Sequence, residues 1–586
     1  MRMCVFVGAA AGLLAVCGTA LAQLPNGVAA GDTTQNSTVL WARSLSAGNV
    51  NFEVATGSTF LPGNVVQTAS TAVTDTLVPA RASIAGLLPG TQYSYRATDA
   101  SGASLTGVFR TPAASGRNGM RFGVSGDYRG DVAPFAFGRN IASRNLDLYV
   151  SLGDTVYADV ASPGLPGVPQ AQTLNQFRTK HAENLSPVGG LNGLADIRRS
   201  TSTLAMIDDH EVTNDFQGYA TVSTDSRFTF GGAAPTDRIN RTPLFANGLQ
   251  AFQDYHPMEQ RTYSNTGTDP RTDGLPELYR SRRYGQDAQI IVTDARSFRD
   301  RALPGVANPT DPAQVGAFLV QSFDPTRTML GQRQLTQVQA DLLSAQQSGV
   351  TWKFVHVPQP TQNFGVVGAS DRFEGYAAER AALLSFIRTN NIENVVFVAA
   401  DVHGTSVNNL TYQNGPGQAQ ITTNTWEIST GSGAYAPPFG PTLVGIGAQL
   451  GALTPAQVAL YNSLPTSGGP FNKEDFIQNL INAQIVPQGY NPIGLNGSTI
   501  PATLLSGSWT ATHTFGWTEF DIDAVTQALT VTTYGIPWYP AGTDPSLIVG
   551  LNPTIVQQFV VQAVPTPAAV ALLGLGGLVA TRRRRR

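Results

Sequence analysis

Four times along this chain a short apolar run stops at a cluster of acidic residues or histidine. Phe122-Gly123-Val124 leads into Ser125-Gly126-Asp127-Tyr128-Arg129, and Ser151-Leu152-Gly153 into Asp154-Thr155-Val156-Tyr157-Ala158-Asp159. Ile207 precedes Asp208-Asp209-His210-Glu211, and Ala400 precedes Asp401-Val402-His403-Gly404. Continuous apolar runs suit strands buried on both faces, and ligand sites in layered α/β folds lie beyond the carboxyl ends of strands. A fold that brings these four ends into one cleft gathers several carboxylates, which repel one another unless cations neutralise them. Metal binding is the economical reading. A single Asp at a strand end more often caps a turn, but Asp208-Asp209-His210-Glu211 in series is hard to justify structurally. Gly153 lets the backbone approach an ion closely. Asp401 and His403, as alternate residues of an extended segment, would project the same way.

Further apolar runs complete the pattern: 121–124, 147–152, 203–207, 289–293, 352–357 and 394–399 read as strands, and 334–347 and 376–389 as amphipathic helices. Together they predict a layered α/β sandwich. Residues 24–112 differ. Ser37–Ala42, Asn51–Ala55 and Tyr93–Ala97 are rich in β-formers, and turn signals such as Leu88-Pro89-Gly90 separate them. They predict a small all-β domain resembling a fibronectin type III sandwich, with Trp41 between its sheets. From Pro441 to Leu505 the strands fade into a helical or loop insertion, and 517–522 with 529–534 read as a closing strand pair. The expected division is 1–22, 23–112, 118–560 and 564–586.

The first segment, 1–22, reads as a secretory signal: Arg2, an apolar Val5–Val16, then Ala20-Leu21-Ala22 before Gln23. Cys4 and Cys17, the chain's two cysteines, both fall inside it. The mature chain would then have no disulfide and no thiolate ligand. At the other end Val564-Pro565-Thr566-Pro567, an apolar 568–580 and five arginines resemble a PEP-CTERM sorting signal, with Thr where that signal usually has Glu. This resemblance implies an exosortase as processing partner, transient membrane association, and display at the cell envelope or release. Setting aside Arg2 and Arg582–Arg586, 31 basic residues face 40 acidic ones, a net charge of −9. Such a body speaks against nucleic-acid binding.

GDTVYAD, IDDHEVTND, DARSFRD and ADVHG, in this order and spacing and preceded by PNGVAAGD at 25–32, resemble the PhoD-like alkaline phosphatase/phosphodiesterase family of calcineurin-type metallophosphoesterases. That family also carries an N-terminal β-sandwich. The resemblance implies Asp127 as a first metal ligand, Asp154 as a carboxylate bridging two metals and Tyr157 as a phenolate ligand. Asp209 stands where related enzymes place Asn, and Asp401 and His403 would complete the two metal shells. His210 would contact substrate or protonate the leaving group. Many family members have Cys after the first strand, where this chain has Ser125-Gly126. Two or more metal ions are implied. The family suggests iron and calcium, and an Asp, His and Tyr set also suits manganese or zinc.

The activity that follows is hydrolysis of small phosphate esters by a metal-activated water, with Arg129 offsetting charge on phosphoryl oxygens and Asp208 or Glu211 orienting His210. The loop 160–170 and the insertion 441–505 are the expected lids. His356 reads chiefly as a packed residue, His181 and His256 as surface, and His513 as a candidate for the pocket wall. Asp294 and Arg296 suggest an ion pair, with Arg296 and Arg299 as alternative phosphate clamps. The competing reading is a catalytically inactive, envelope-displayed binding protein on the same fold. No Gly-x-Ser-x-Gly elbow with a suitable His supports a serine hydrolase.

Overall fold

The computed structural model describes residues 23–309 and 311–565. The expected signal peptide lies outside the described residues, as does the expected sorting segment beyond Pro565. Among the described residues no helix is long and apolar enough to cross a membrane.

Two large mixed sheets pack face to face. The first has eleven strands, centred on Met120–Tyr128, Leu148–Leu152 and Ser202–Met206, which run parallel. The second has seven, and its parallel centre is Ala288–Val292, Trp352–His356, Val395–Ala399 and Ile421–Ser429. The six expected α/β-core runs all become strands, with ends moved by a few residues. Their inner faces form one core: the Phe122 ring stacks on Phe520 at 4.7 Å and meets Phe354 edge-on at 4.8 Å. Helices Leu174–Asn184 and Gly193–Ser200 cover the outer face of the first sheet. Helices Gln332–Gln347 and Ala377–Thr389 cover the second. The result is the layered α/β sandwich the sequence predicts.

The N-terminal region is all-β. Four of its strands, Gly48–Thr56, Val65–Val73, Gln92–Thr98 and Ser104–Arg110, form a separate sheet. The other three, Val28–Gly31, Ser37–Ala42 and Ala80–Ala85, extend the eleven-stranded sheet, with Val28–Gly31 parallel to Ser202–Met206. Trp41 is fully buried, but not between the two N-terminal sheets. Its strand alternates faces, sending Leu40 to that core and Trp41 to the opposite side. There its Nε1 donates to the Asp254 carbonyl at 2.8 Å.

The insertion carries helices Phe439–Gln449, Pro455–Ser463 and Lys473–Ile485. Contrary to the expected fading of strands up to Leu505, it closes on a strand, Ala502–Ser506, that pairs with Thr554–Val561 at the edge of the eleven-stranded sheet. It is tied to the rim of the cleft where Phe439 N donates to the His403 carbonyl at 3.1 Å. The loop 160–170 is pinned by Glu183, which accepts from Ser162 Oγ at 2.6 Å and Gly164 N at 2.8 Å, and by Lys180, which donates to Ser162 Oγ at 2.7 Å.

Candidate metal centre

The carboxyl ends of Met120–Tyr128, Leu148–Leu152, Ser202–Met206 and Val395–Ala399 meet at one point, and the chain turns sharply there. Asp127, Asp154, Asp401 and His403 have φ of 62°, 49°, 64° and 59°. Side chains other than glycine rarely adopt such angles, and strained backbone of this kind collects at functional sites. Gly153, at φ 96°, shows why glycine stands there: a Cβ would come within 2.8 Å of Asp208.

Two overlapping groups of donors result. Oxygens of Asp127 and Asp154 and a ring nitrogen of His403 lie within 4.8 Å of one another, as do those of Asp154, Asp209 and His210. Asp154 belongs to both. Asp127 is fully buried and neither of its oxygens accepts a hydrogen bond. A carboxylate left so is costly, and a cation satisfies it. Burial pushes the Asp127 and Asp154 carboxyls well above the usual range, reinforced by Asp208 at Asp127 and Asp209 at Asp154. Burial lowers the His403 imidazole to about 3, so it stands neutral with its nitrogen free to coordinate. Its Nε2 is 3.5 Å from Asp127 Oδ1 and 3.4 Å from the Tyr157 hydroxyl. The Tyr157 phenol is held protonated by burial, then by Asp154 and Asp127. The residues fit a pair of metal ions.

The structure divides Asp401 from His403. The segment is not extended, because both residues are left-handed, so the alternation argument does not apply. His403 joins Asp127 and Asp154, whereas Asp401 Oδ1 lies 3.8 Å from Arg296 Nη2. Arg296 is the hub of the acidic floor. It is fully buried, ion-pairs with Asp208, reaches Asp209 at 3.4 Å and grips Asp371 with two bonds of 2.8 Å. Arg299 also holds Asp371, at 2.7 Å. Both guanidiniums are committed inside the protein, so neither serves as a phosphate clamp. Asp294 does not ion-pair with Arg296. It caps the turn, accepting from Arg296 N at 3.0 Å and Ser297 N at 2.9 Å.

His210 is oriented by neither Asp208 nor Glu211. Glu211 Oε1 accepts from Thr155 N and Oγ1, both at 2.7 Å, and its Oε2 from Asp208 N at 2.9 Å, bracing two loops. The partner of His210 is Asp159, whose Oδ1 meets Nδ1 at 2.6 Å. Burial would lower the imidazole, but Asp209 and the bond to Asp159 outweigh it and hold it at about 9. Asp159 closes the GDTVYAD motif, five residues after Asp154, and that position was the available signal. Arg129 stands at the rim, bonded to Asp131 at 3.0 and 2.6 Å and 5.1 Å from the Tyr435 ring. Tyr435, which no motif flagged, stacks on His403 at 3.5 Å.

The other histidines belong to neither donor group. His181 is buried against Tyr255, with ring centroids 5.5 Å apart, and half-buried His256 donates from Nδ1 to the Phe252 carbonyl at 2.8 Å. Neither is a surface residue: His181 is on the inner face of helix Leu174–Asn184, and His256, the residue just past helix Pro243–Tyr255, lays its ring 4.3 Å from that of Phe252. His356 is enclosed in the core beside Phe122. His513 sits beneath the insertion, bonded to Tyr461 and Glu474, each at 2.7 Å.

A family model described as PhoD-like phosphatase matches residues 125–449, and one described as PhoD-like phosphatase, N-terminal domain, matches residues 16–113. Alkaline phosphatase D of Bacillus subtilis (strain 168) is 25% identical over 420 residues, covering 66% of this chain. The match spans 65% of that relative's length. A solved structure titled "Structure of PhoD" superposes with a TM-score of 0.65 at 20% identity, covering 92% of this chain and 90% of that one, and so shares the fold. The match over more than half the chain takes in all four strand ends that build the cleft, and the protein belongs to the PhoD-like phosphatase family.

Proposed function

We propose that this chain is an extracytoplasmic, metal-dependent phosphoester hydrolase acting on small phosphate esters. The observation that carries the proposal is the pair of donor groups sharing Asp154, with Asp127 buried and unsatisfied beside them. The alkaline phosphatase named above supports the reaction class.

Asp127, Asp154, Tyr157 and His403 would hold one cation, and Asp154 and Asp209, with Asp401 alongside, the other. Iron, calcium, manganese or zinc would suit this set. Bound there, the cations would supply an activated water for in-line attack at phosphorus and offset charge on its oxygens. His210, turned by Asp159 so that Nε2 is left for the cleft, donates the proton that the departing alkoxide needs. Arg129, fixed by Asp131 at the rim, meets the nonbridging phosphoryl oxygens. The signal-like 1–22 and the sorting-like 564–586 support export and processing by an exosortase-type enzyme.

The test is hydrolysis of p-nitrophenyl phosphate and bis-p-nitrophenyl phosphate by the purified protein, before and after chelation, with elemental analysis alongside. Activity that disappears on chelation, returns with added metal and is lost in His210→Ala is the expected result. A folded protein that binds metal but hydrolyses neither ester would overturn it in favour of a binding role.

A further inference from the structure

Behind the metal centre lies a cavity of about 30 Å³ lined by Tyr128, Tyr149, His181, Asn184, Arg198 and Tyr255 among others. Every lining residue is buried or half-buried, and none carries a carboxylate. Two observations there are unexplained by packing. Arg198 is 8% exposed and has no acidic partner among the described residues. Its Nη2 donates to the Tyr255 carbonyl at 2.8 Å and its guanidinium lies 4.4 Å from the Trp41 ring, but its Nε, buried, has no acceptor. His181, 3% exposed, has an equally buried and unpartnered Nε2. A buried cation with no counterion costs several kcal/mol, and buried polar atoms are nearly always satisfied.

We infer that this cavity is a binding site for one small monovalent anion of halide size, held by the Arg198 guanidinium and the Nε2–H of His181. The volume exceeds the 10–15 Å³ or so that a water-sized occupant needs, and it excludes phosphate esters. Charge favours an anion over water: the one formal charge on the cavity wall is positive. The two imidazoles there are neutral, His181 and His256 both being lowered by burial, with Arg198 contributing. The site has a route to the metal centre through Asn184. Its Nδ2 donates to the Tyr128 carbonyl at 2.7 Å and the Thr155 carbonyl at 2.9 Å. Those residues directly follow Asp127 and Asp154. An occupied cavity would therefore steady the two loops that present the ligands.

The probe is bromide. Crystals of the protein grown in sodium bromide should give an anomalous peak in this cavity. Thermal melts at constant ionic strength, exchanging gluconate for chloride or bromide, should rise by about 2 °C over a hundredfold range of halide. Arg198→Met, which keeps the stem over Trp41, should abolish the peak and the halide dependence. If that variant does not fold, His181→Phe, which fills the space, should do the same. A cavity that holds water with no anomalous signal, or bromide bound only at the surface, overturns the assignment.

Discussion

His210 and Asp159 act as one unit at the scale of single residues. The 2.6 Å contact fixes the imidazole's rotation and leaves its other nitrogen toward the cleft. Asp159→Asn keeps the shape and removes the charge. Its expected effect is a fall in kcat of about 10–100-fold, with KM and bound metal unchanged; an unchanged kcat would reject the orienting role. A second buried imidazole acts on stability instead. His356 donates from Nδ1 to the Ile291 carbonyl at 3.0 Å, and its Nε2 has no partner. Burial lowers it to about 4, against 6.5 when unfolded. Between those values the unfolded chain binds the proton and the folded one does not, so stability falls as pH drops from 6.5 to 4. The loss amounts to about 3 kcal/mol. Urea titrations across that window should show the slope in the wild type and a flatter one in His356→Gln; parallel slopes would count against the assignment. Asp127, Asp154, Asp209, His210 and His403 were legible as site candidates because each lies at, or within four residues of, the carboxyl end of an apolar strand. Asp159 and Arg296 were not assigned their partners, because those bonds cross between loops and spacing along the chain does not encode them.

At the scale of elements, the short strand Ser432–Ala434 runs parallel to Met120–Tyr128, with Ala434 opposite Tyr128. The next bond of the ladder, from Arg129 N to the Ala434 carbonyl at 3.1 Å, sets Tyr435 beside Arg129 at the rim. There the Tyr435 ring covers His403, 15° from parallel. The ring rather than its hydroxyl positions the imidazole. Tyr435→Phe should therefore retain both activity and metal. Tyr435→Leu should lower kcat about 10-fold or more and release metal at lower chelator concentration; equal effects of the two changes would refute the stacking role. This element escaped sequence reading because Gly431-Ser432-Gly433-Ala434 has no apolar pattern. The same reason hid Thr405–Tyr412, whose eight residues are all buried although five of them are polar. Its polar side chains are accommodated by the sheet and its neighbours, so apolar periodicity was the wrong signal. The helix Leu174–Asn184 did carry a readable one, the capping box formed by Thr173 and Gln176.

At the scale of the molecule, sequence indicated an all-β region and an α/β body but not how they join, because strand exchange between sheets is decided by tertiary pairing. The joint is built from buried groups. Asp32, 2% exposed at the end of Val28–Gly31, accepts from Arg280 Nε at 2.8 Å and Arg282 Nη2 at 2.8 Å, both on the first strand of the second sheet. Burial alone would raise its carboxyl, but the two guanidiniums hold it below its usual value. Asp32→Asn leaves Arg280, itself 1% exposed, without compensation. Removing one member of a buried pair costs about 3–5 kcal/mol. Because three of the N-terminal strands share the eleven-stranded sheet with the strands whose ends build the cleft, that loss should lower the urea midpoint of the whole chain in a single transition. Tryptophan fluorescence, which samples Trp41 beside the N-terminal joint and Trp352, Trp426 and Trp517 in the body, should move together with loss of activity. An N-terminal region that unfolds first, with the remaining transition where it stands in the wild type, would show instead that the shared sheet does not couple the two parts.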